Sequence, residues 1–441
     1  MFADTRGRGL LRLMGPRIAS MSTLSSVLPA SISLGLTCES MFTNIMIKME
    51  GKWMTVHQVE TDEHRSIREL AATVAHMRYA AMDGQWDADR TALPHDERRY
   101  LGSMGFLGIA LPEEYGGSGA PLIDALVVIE ELAKECRPAA FQVFEANTGP
   151  AQVVNLLGTH EQRQRFLPAI VAGDATMAVA ISEPGAGSAA TDMTTKATRG
   201  DDAFILDGTK RWISNGGEAD HYLVYARMSD EPGARGIGAI IVSAEAPGVQ
   251  FGARERLMGF RGIPSADVIF DSVEVPAENL LVGPGGFRKL FTAFSIERLG
   301  NATMSLAIGQ AALDRTVTYV QERTQFGKPL IEFQAVQMQV ADMILQVEAA
   351  RQLLYRAARN AGTGLPDPLE VSLAKCTANE MAKRVTDVAM QLHGGNGYTE
   401  EYGLERLHRD AHGWALAGGT PTMQRIRIAS EALGRTFDQR A

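Results

Sequence analysis

The stretch VQMQVADMILQVEAARQLLYRA (336–357) places apolar residues at Val336, Val340, Met343, Val347, Ala350, Leu354 and Ala357. Steps of four and three held in register lay one continuous stripe on a single helix face, the pattern of a helix that packs in a bundle. Residues 368–391 are also helix-prone and supply a candidate antiparallel partner. Outward from this pair, the helical period holds from about residue 286 to the C-terminus. Residues 175–283 read differently: MAVAIS, AFILDG, HYLVYAR, GAIIVS and ADVIFDSVEV are short, β-branched and often alternating, separated by Gly, Pro and Asp turns. Residues 62–174 return to helical spacing, as in IDALVVIEELAKE, interrupted by the turn EEYGGSGAP at 113–121. The expected fold is therefore mainly α with a central β domain: an N-terminal helical domain (62–174), a small antiparallel β domain (175–283) and a C-terminal four-helix bundle (284–441). The first 53 residues are rich in Arg, Ser and Met and poor in acids. They fit either an organellar transit peptide or an extraneous early start with the working chain beginning near Met54, and residues 1–61 are expected to be disordered or extraneous.

The 441 residues suffice for two or three domains, and 45% hydrophobic with 22% charged residues is ordinary globular composition. A net charge of -9 and a pI near 5.6 argue against a nucleic-acid surface, so a bound anion needs a local basic pocket. Cys38, Cys136 and Cys376 lie far apart and suggest neither a disulfide framework nor a zinc cluster, which makes a reduced, cytoplasmic setting the default. The nine histidines form no ligand-spaced group, so no metal site is expected. No run reaches the roughly 18 apolar residues of a membrane span. The P-loop, zincin, nucleophile-elbow and dinucleotide fingerprints are missing too.

Four clusters remain: SEPGAGSAATD (182–192), KRWISNGG (210–217), ERTQFGKP (322–329) and QLHGGNGYTEEYGLERLHRDAHG (391–413). Each alone reads as a turn whose glycines serve φ > 0 geometry. Together they offer more, because a Ser followed by PGAGS and a Trp at the end of a second strand supply amides, hydroxyls and a flat apolar wall suited to a planar redox ring. The Gly-Gly after a long helix lets backbone amides approach a phosphate, and Arg323 adds a fork that grips phosphate bidentately.

With GFLGIALPEEYGGSG, AISEPGAGS, GTKRWISNG, RTQFGKPLIEFQAVQ and QLHGGNGYTEEYGLERLHRDA in this order, the chain resembles the acyl-CoA dehydrogenases from about residue 65 onward. These are flavoproteins that oxidise the Cα–Cβ bond of acyl thioesters. The resemblance implies FAD, with Ser182 near the flavin N5 and O4, Val179 and Ile181 along the same strand, and Trp212 and Ser214 on the other face of the ring. It implies that Arg323 and Phe326, helped by Gln391, Gly394 and Gly395, hold the adenosine diphosphate part of an FAD in a neighbouring subunit. An oligomer, usually a tetramer, follows from that sharing. Thr420 belongs to the same cofactor set, and Thr422 stands where many members have Glu or Gln.

Many members place the catalytic Glu directly before a Gly-Thr, in the loop that here reads LAGGT, and the matching position is Gly418. Others, isovaleryl-CoA and long-chain enzymes among them, bring the Glu from a bundle helix in a motif ending Glu-Arg. SIERLGNA supplies Glu297 and Arg298 at those positions. The resemblance thus implies Glu297 as the α-proton base, the Gly418 N–H as a donor to the thioester oxygen, and Ser188 and Arg298 as contacts to the CoA portion. Ala189 and Ser295 stand where the family often has Asp, which puts those CoA contacts in question. The expected activity is α,β-dehydrogenation of an acyl-CoA, with electrons passed to an electron-transfer flavoprotein. The alternatives are a crotonobetainyl-CoA-type reductase, altered chemistry such as desulfination, and a flavin-free scaffold. The expected setting is cytoplasm, or the mitochondrial matrix if the leader is a transit peptide.

Overall fold

The computed structural model describes residues 61–437, together with a strand pair, β1 (Met46–Met49) and β2 (Lys52–Thr55), joined as an antiparallel hairpin. Apart from those strands, the expectation for residues 1–61 falls outside the described residues. His64 onward forms one unit, and the hairpin belongs to another.

The larger unit opens with helices α1 (Asp62–Val74), α2 (Asp83–Asp89), α3 (His95–Ser103), α4 (Leu122–Glu135), α5 (Arg137–Thr148), α6 (Pro150–Leu157) and α7 (His160–Ala172). Local chemistry sets several of these ends. Helix α7 begins at a capping box in which Thr159 and Gln162 exchange side-chain and backbone hydrogen bonds, and it ends at Gly173 with φ 78°.

The sheet follows: β3 (Met177–Ala180), β4 (Lys196–Arg199), β5 (Ala203–Ser214), β6 (His221–Arg227), β7 (Ile237–Ser243), β8 (Val249–Phe251), β9 (Ser265–Pro276) and β10 (Leu280–Val282). Its strand order is β10-β7-β6-β4-β5-β9-β8, with β3 also on β6. Most neighbours are antiparallel, but β3 runs parallel to β6 over four residue pairs, and Lys196 of β4 meets Arg227 of β6 in the same sense. Alternation along a strand reports which face is buried and says nothing of the neighbour's direction, so this parallel element is invisible in the period.

The C-terminal part consists of α8 (Phe287–Ala293), α9 (Ser295–Glu322), a short hairpin of β11 (Thr324–Gln325) and β12 (Lys328–Pro329), then α10 (Gln334–Ala361), α11 (Pro368–His393), α12 (Leu404–Leu416) and α13 (Pro421–Leu433). In α10 the stripe from Val340 to Ala357 is buried at each predicted position, with Val336 half-buried at its start. Helix α11 starts where Asp367 accepts hydrogen bonds from the amides of Leu369 and Glu370, with Pro368 in the first turn. Among the described residues no helix is long and apolar enough to cross a membrane.

Helix α9 is the centre of this part, packed against α4, α5, α10, α11 and α12. It is buried nearly all round, yet carries Ser295, Glu297, Arg298, Asn301, Thr303 and Ser305 inside. Polar groups so placed need partners, because a buried unpaired one costs on the order of 1–3 kcal/mol and a charge more.

A second buried polar centre joins α2, α5 and α12. Arg137, 2% exposed, donates to Asp83 and, at 3.4 Å, to Asp410. Asp83 also pairs with Arg406, and Asp410 accepts from the Phe260 amide at 2.7 Å. Arg137→Met removes the cation shared by two buried carboxylates, leaving Asp83 to Arg406 and Asp410 to the Phe260 amide, and is expected to cost about 3 kcal/mol in urea unfolding. Adding Asp83→Asn should recover part of that loss, and an unchanged unfolding midpoint in the single variant would refute the assignment.

Candidate active site

Glu297 lies in the first turn of α9, 6% exposed, and its Oε2 has no hydrogen-bond partner. Facing it is the loop 417–420 between α12 and α13, where Gly418 has φ 64° and Gly419 φ 92°. A Cβ added at Gly418 would lie 2.7 Å from Glu297 Oε2 and 2.9 Å from Oε1, closer than real Cβ contacts. Glycine here is thus demanded twice, by the backbone angle and by the carboxylate already filling the space. The two positions at which the sequence sought a base converge on one volume, and that volume holds Glu297.

The loop's carbonyls are all drawn inward. Lys375 of α11 donates to Ala417 O at 2.9 Å and Gly419 O at 3.0 Å, and Arg298 Nε donates to Gly418 O at 3.3 Å. Asn301, one turn beyond Glu297 on the same helix, donates to Trp414 O and Ala417 O, which caps the C-terminal carbonyls of α12. Asn379, one turn beyond Lys375, accepts from Lys375 and donates to Asn301 and Ser305. The Gly418 N–H has no acceptor among the described residues.

Burial raises the proton affinity of Glu297 above the ordinary carboxylate range, and the charges of Lys375 and Arg298 oppose that rise. Lys375 is itself lowered by burial to about 8, with Glu297 pulling the other way. Arg298 is lowered to about 10, first by burial and then by Arg427. Glu145 on α5, also buried with Oε2 unpartnered, is pushed well above its usual range by burial and by the charge of Glu297. Orphaned buried atoms gather around Glu297: Ser295 Oγ, Arg298 Nη1 and the Tyr225 hydroxyl join the two carboxyl oxygens. So many unmet polar groups in one place fit a site built for a bound molecule.

The flat-wall residues flank the sheet. Ile181 and Ser182 are half-buried and follow directly on β3, and the Ser182 carbonyl accepts from the Arg211 amide at 2.8 Å. The turn after them is braced by Glu183, which accepts from Lys210 at 2.8 Å and from the Thr194 and Thr195 amides. Trp212 sits at an irregularity of β5 between Lys210 and Ile213, with φ 62° and 52% of its surface exposed. Such a bulge re-aims a side chain out of the alternation. Ser214 closes β5 opposite Ser265. These residues offer a half-buried hydroxyl, a half-exposed indole with the Arg211 guanidinium 4.3 Å over its ring, and strand-end amides beside one another, a set that fits a planar ring.

Other sequence-chosen residues lie elsewhere in the chain. Arg323 and Phe326 stand out at the α9–α10 connection, Phe326 with φ 51° and 93% exposed, and Gln391, Gly394 and Gly395 are exposed at the end of α11. Ser188 is exposed on the Gly-rich turn. Arg298 is buried, facing Gly418 and stacked over Phe291 and Phe294. The Thr420 hydroxyl accepts from the Met423 amide and caps α13, and Thr422 is exposed in its first turn. Sequence reasoning missed Lys375, Asn379, Asn301 and Glu145. The pair Lys375 and Asn379, four apart among Val371, Ala374, Ala378 and Ala382, was the available signal, since a cation on an apolar face needs acceptors.

Residues 61–174, 178–273 and 285–433 match the family models for the N-terminal, middle and C-terminal domains of acyl-CoA dehydrogenases. Over 386 residues the chain is 38% identical to the 3-sulfinopropanoyl-CoA desulfinase of Cupriavidus necator, which covers 86% of this chain and 97% of that protein. The 3-(aryl)acrylate reductase of Clostridium sporogenes is 35% identical over 375 residues, covering 85% and 99%. Among solved structures, butyryl-CoA dehydrogenase from Megasphaera elsdenii superposes with a TM-score of 0.82 at 34% identity, covering 86% of this chain and all of that one.

The shared volume at Glu297 and Gly418 gives a stability test. Gly418→Ala should cost about 1–3 kcal/mol in the natural chain, from backbone strain and overpacking. In a Glu297→Ala background the overpacking part disappears, so a double-mutant cycle should show coupling of roughly 1 kcal/mol or more. Equal costs in both backgrounds would mean the side chain and the loop do not compete for space.

Proposed function

The chain belongs to the acyl-CoA dehydrogenase family and is an FAD-binding oxidoreductase; from that premise we propose that it removes hydrogen from Cα and Cβ of an acyl-CoA thioester, with Glu297 as the base. The carrying observation is the buried Glu297 carboxylate, its proton affinity raised and one oxygen free, beside a Gly418 N–H that has no acceptor.

An α-proton of a thioester becomes removable when the charge that builds on the carbonyl oxygen meets a preorganised donor. The Gly418 N–H is such a donor. Glu297, with affinity lifted toward the operating pH, is then suited to take the proton. Bound FAD supplies the acceptor for the hydride that leaves Cβ. Ile181, Ser182, Trp212 and Ser214 hold and orient its ring in this reading, with Thr420 assigned to the same cofactor. Ser188 and Arg298 are the candidates for the CoA side, Arg298 through its free Nη1. Arg323, Phe326, Gln391, Gly394 and Gly395 serve the FAD of a neighbouring copy, which makes the working form an oligomer, a tetramer by analogy. The electron acceptor is an electron-transfer flavoprotein.

The second reading is altered chemistry, favoured by the relatives themselves, of which one is a desulfinase and another a reductase. Losing a sulfinate from Cβ leaves an electron pair on carbon and needs a proton delivered there rather than an α-proton base, and a buried carboxyl of raised proton affinity such as Glu297 suits that role too. The two readings therefore part on whether the bound flavin is reduced by the substrate.

Anaerobic titration of the oxidised holoenzyme with butyryl-, isovaleryl-, palmitoyl- and 3-sulfinopropanoyl-CoA tests both readings. Bleaching of the flavin band by an uncharged acyl-CoA, slowed about 10²- to 10⁴-fold by Glu297→Gln, is the expected result. Sulfite release without bleaching would establish the desulfinase reading instead. Colourless protein that rejects added FAD would overturn both.

A further inference from the structure

Lys375 is absent from the residues that sequence reasoning selected, yet it is fully buried and holds the loop opposite Glu297 from both sides of Gly418. A trans peptide is planar, with its C=O and N–H pointing in opposite directions. Pulling the Ala417 carbonyl toward Lys375 and Asn301 therefore turns the Gly418 N–H away from the bundle interior. Arg298 takes the next carbonyl, Gly418 O, while Gly419 O is shared by Lys375 and Gln424. Every carbonyl of the turn is thus tied down on the helix side, and the Gly418 and Gly419 N–H groups between them have no acceptor among the described residues; of the two glycines, Gly418 is the one with the Glu297 carboxylate against it. We propose that Lys375 is a positioning residue for the reaction: by drawing the Ala417 and Gly419 carbonyls inward it aims the Gly418 N–H at the acyl carbonyl oxygen, while its charge steadies the carboxylate of Glu297.

This rests on the reading of Glu297 as base. The groups that act on Glu297 are Arg298 on its own helix, Lys375 from α11, Glu145 from α5 and Tyr225 from β6. Among them Lys375 and Arg298 lower its proton affinity, and Lys375 is the larger of the two. The sign follows. Removing a positive charge raises the affinity of Glu297, so less of it is ionised at a given pH. The acid limb of activity, where the base becomes protonated, must then move to higher pH, by roughly one unit for a charge in this range. A residue that merely filled space would lower the rate without moving that limb.

The test compares Lys375→Met, Lys375→Gln and Asn301→Ala holoenzymes with the natural chain, reading the rate of flavin bleaching by the best acyl-CoA of the panel against pH. Both lysine variants are expected to shift the acid limb upward and to lower the limiting rate at least tenfold. Lys375→Gln carries the test if Lys375→Met does not fold. Asn301→Ala, which loosens the same Ala417 carbonyl and leaves the charge in place, should lower the limiting rate with its acid limb unmoved. An unmoved limb in folded, flavin-loaded Lys375→Gln overturns the inference. Glu297→Gln is measured alongside: if it bleaches at the natural rate, the base reading itself has failed, whereas a slow Glu297→Gln with unmoved lysine variants rejects the role of Lys375 alone.

Discussion

A carboxylate and a β-carbon cannot occupy the same few ångströms, and around that exclusion the site is built. Glu297 fills the space that any side chain at position 418 would need. The loop must then be glycine, and glycine permits the φ of 64° that lets the turn close over the end of α9. Moving the carboxylate from loop to helix is therefore a coordinated change. The loop loses a side chain and keeps its amide, and the helix gains a buried charge that the bundle has to accommodate.

That accommodation explains the polar interior of a helix buried on all sides. Glu297, Asn301 and Ser305 recur every fourth residue on α9, and Lys375 and Asn379 repeat the spacing on α11. Isolated, each would be costly in such surroundings. Interlocked through Asn379, Lys375, Asn301 and Ser305 satisfy one another and the carbonyls at the end of α12, while Glu297 keeps one oxygen unpartnered. The two cations stay close enough to temper the rise in Glu297's proton affinity, and among the described residues neither forms an ion pair with it. A tight pair would hold the carboxylate ionised and weaken it as a base; complete isolation would leave it protonated. The arrangement lies between those limits.

The sequence disclosed what depends on period and on local chemistry. The stripe of α10 needs only one buried face, and the start of α11 needs only Asp367 and Pro368, so both could be read directly. Glu297 and Gly418 could be named because the motif order resembles a family in which the base has two known stations; neither composition nor spacing singles out Glu297. Lys375 and Glu145 escaped because a lone charged residue on a helix ordinarily faces water; the apolar neighbours of the Lys375–Asn379 pair were the one contrary signal, and for Glu145 only packing reveals its burial. The orientation of Arg298 was hidden for a related reason. A long side chain can reach in several directions, and the choice of Gly418 O over solvent is made by Phe291 and Phe294 beneath it. The β-bulge at Trp212 arises from a register offset between β5 and β9, which no single strand encodes.

The exposed residues complete the argument about why one chain is insufficient on the proposed reading. Phe326 presents nearly its whole ring to solvent from a strained position in a tight hairpin. An unsupported aromatic there gains nothing from hydrophobic burial, and a non-glycine residue at positive φ costs on the order of 1 kcal/mol. Arg323 beside it, and the Gly-Gly turn at the end of α11, likewise point their binding chemistry outward. On that reading Trp212 and Ser182 would supply the other half of the binding surface, at the sheet rather than on the bundle. A cofactor long enough to lie on Trp212 in one copy and under Arg323 in another would remove the cost at both ends. Cofactor binding and assembly would then be one equilibrium, each stabilising the other by mass action.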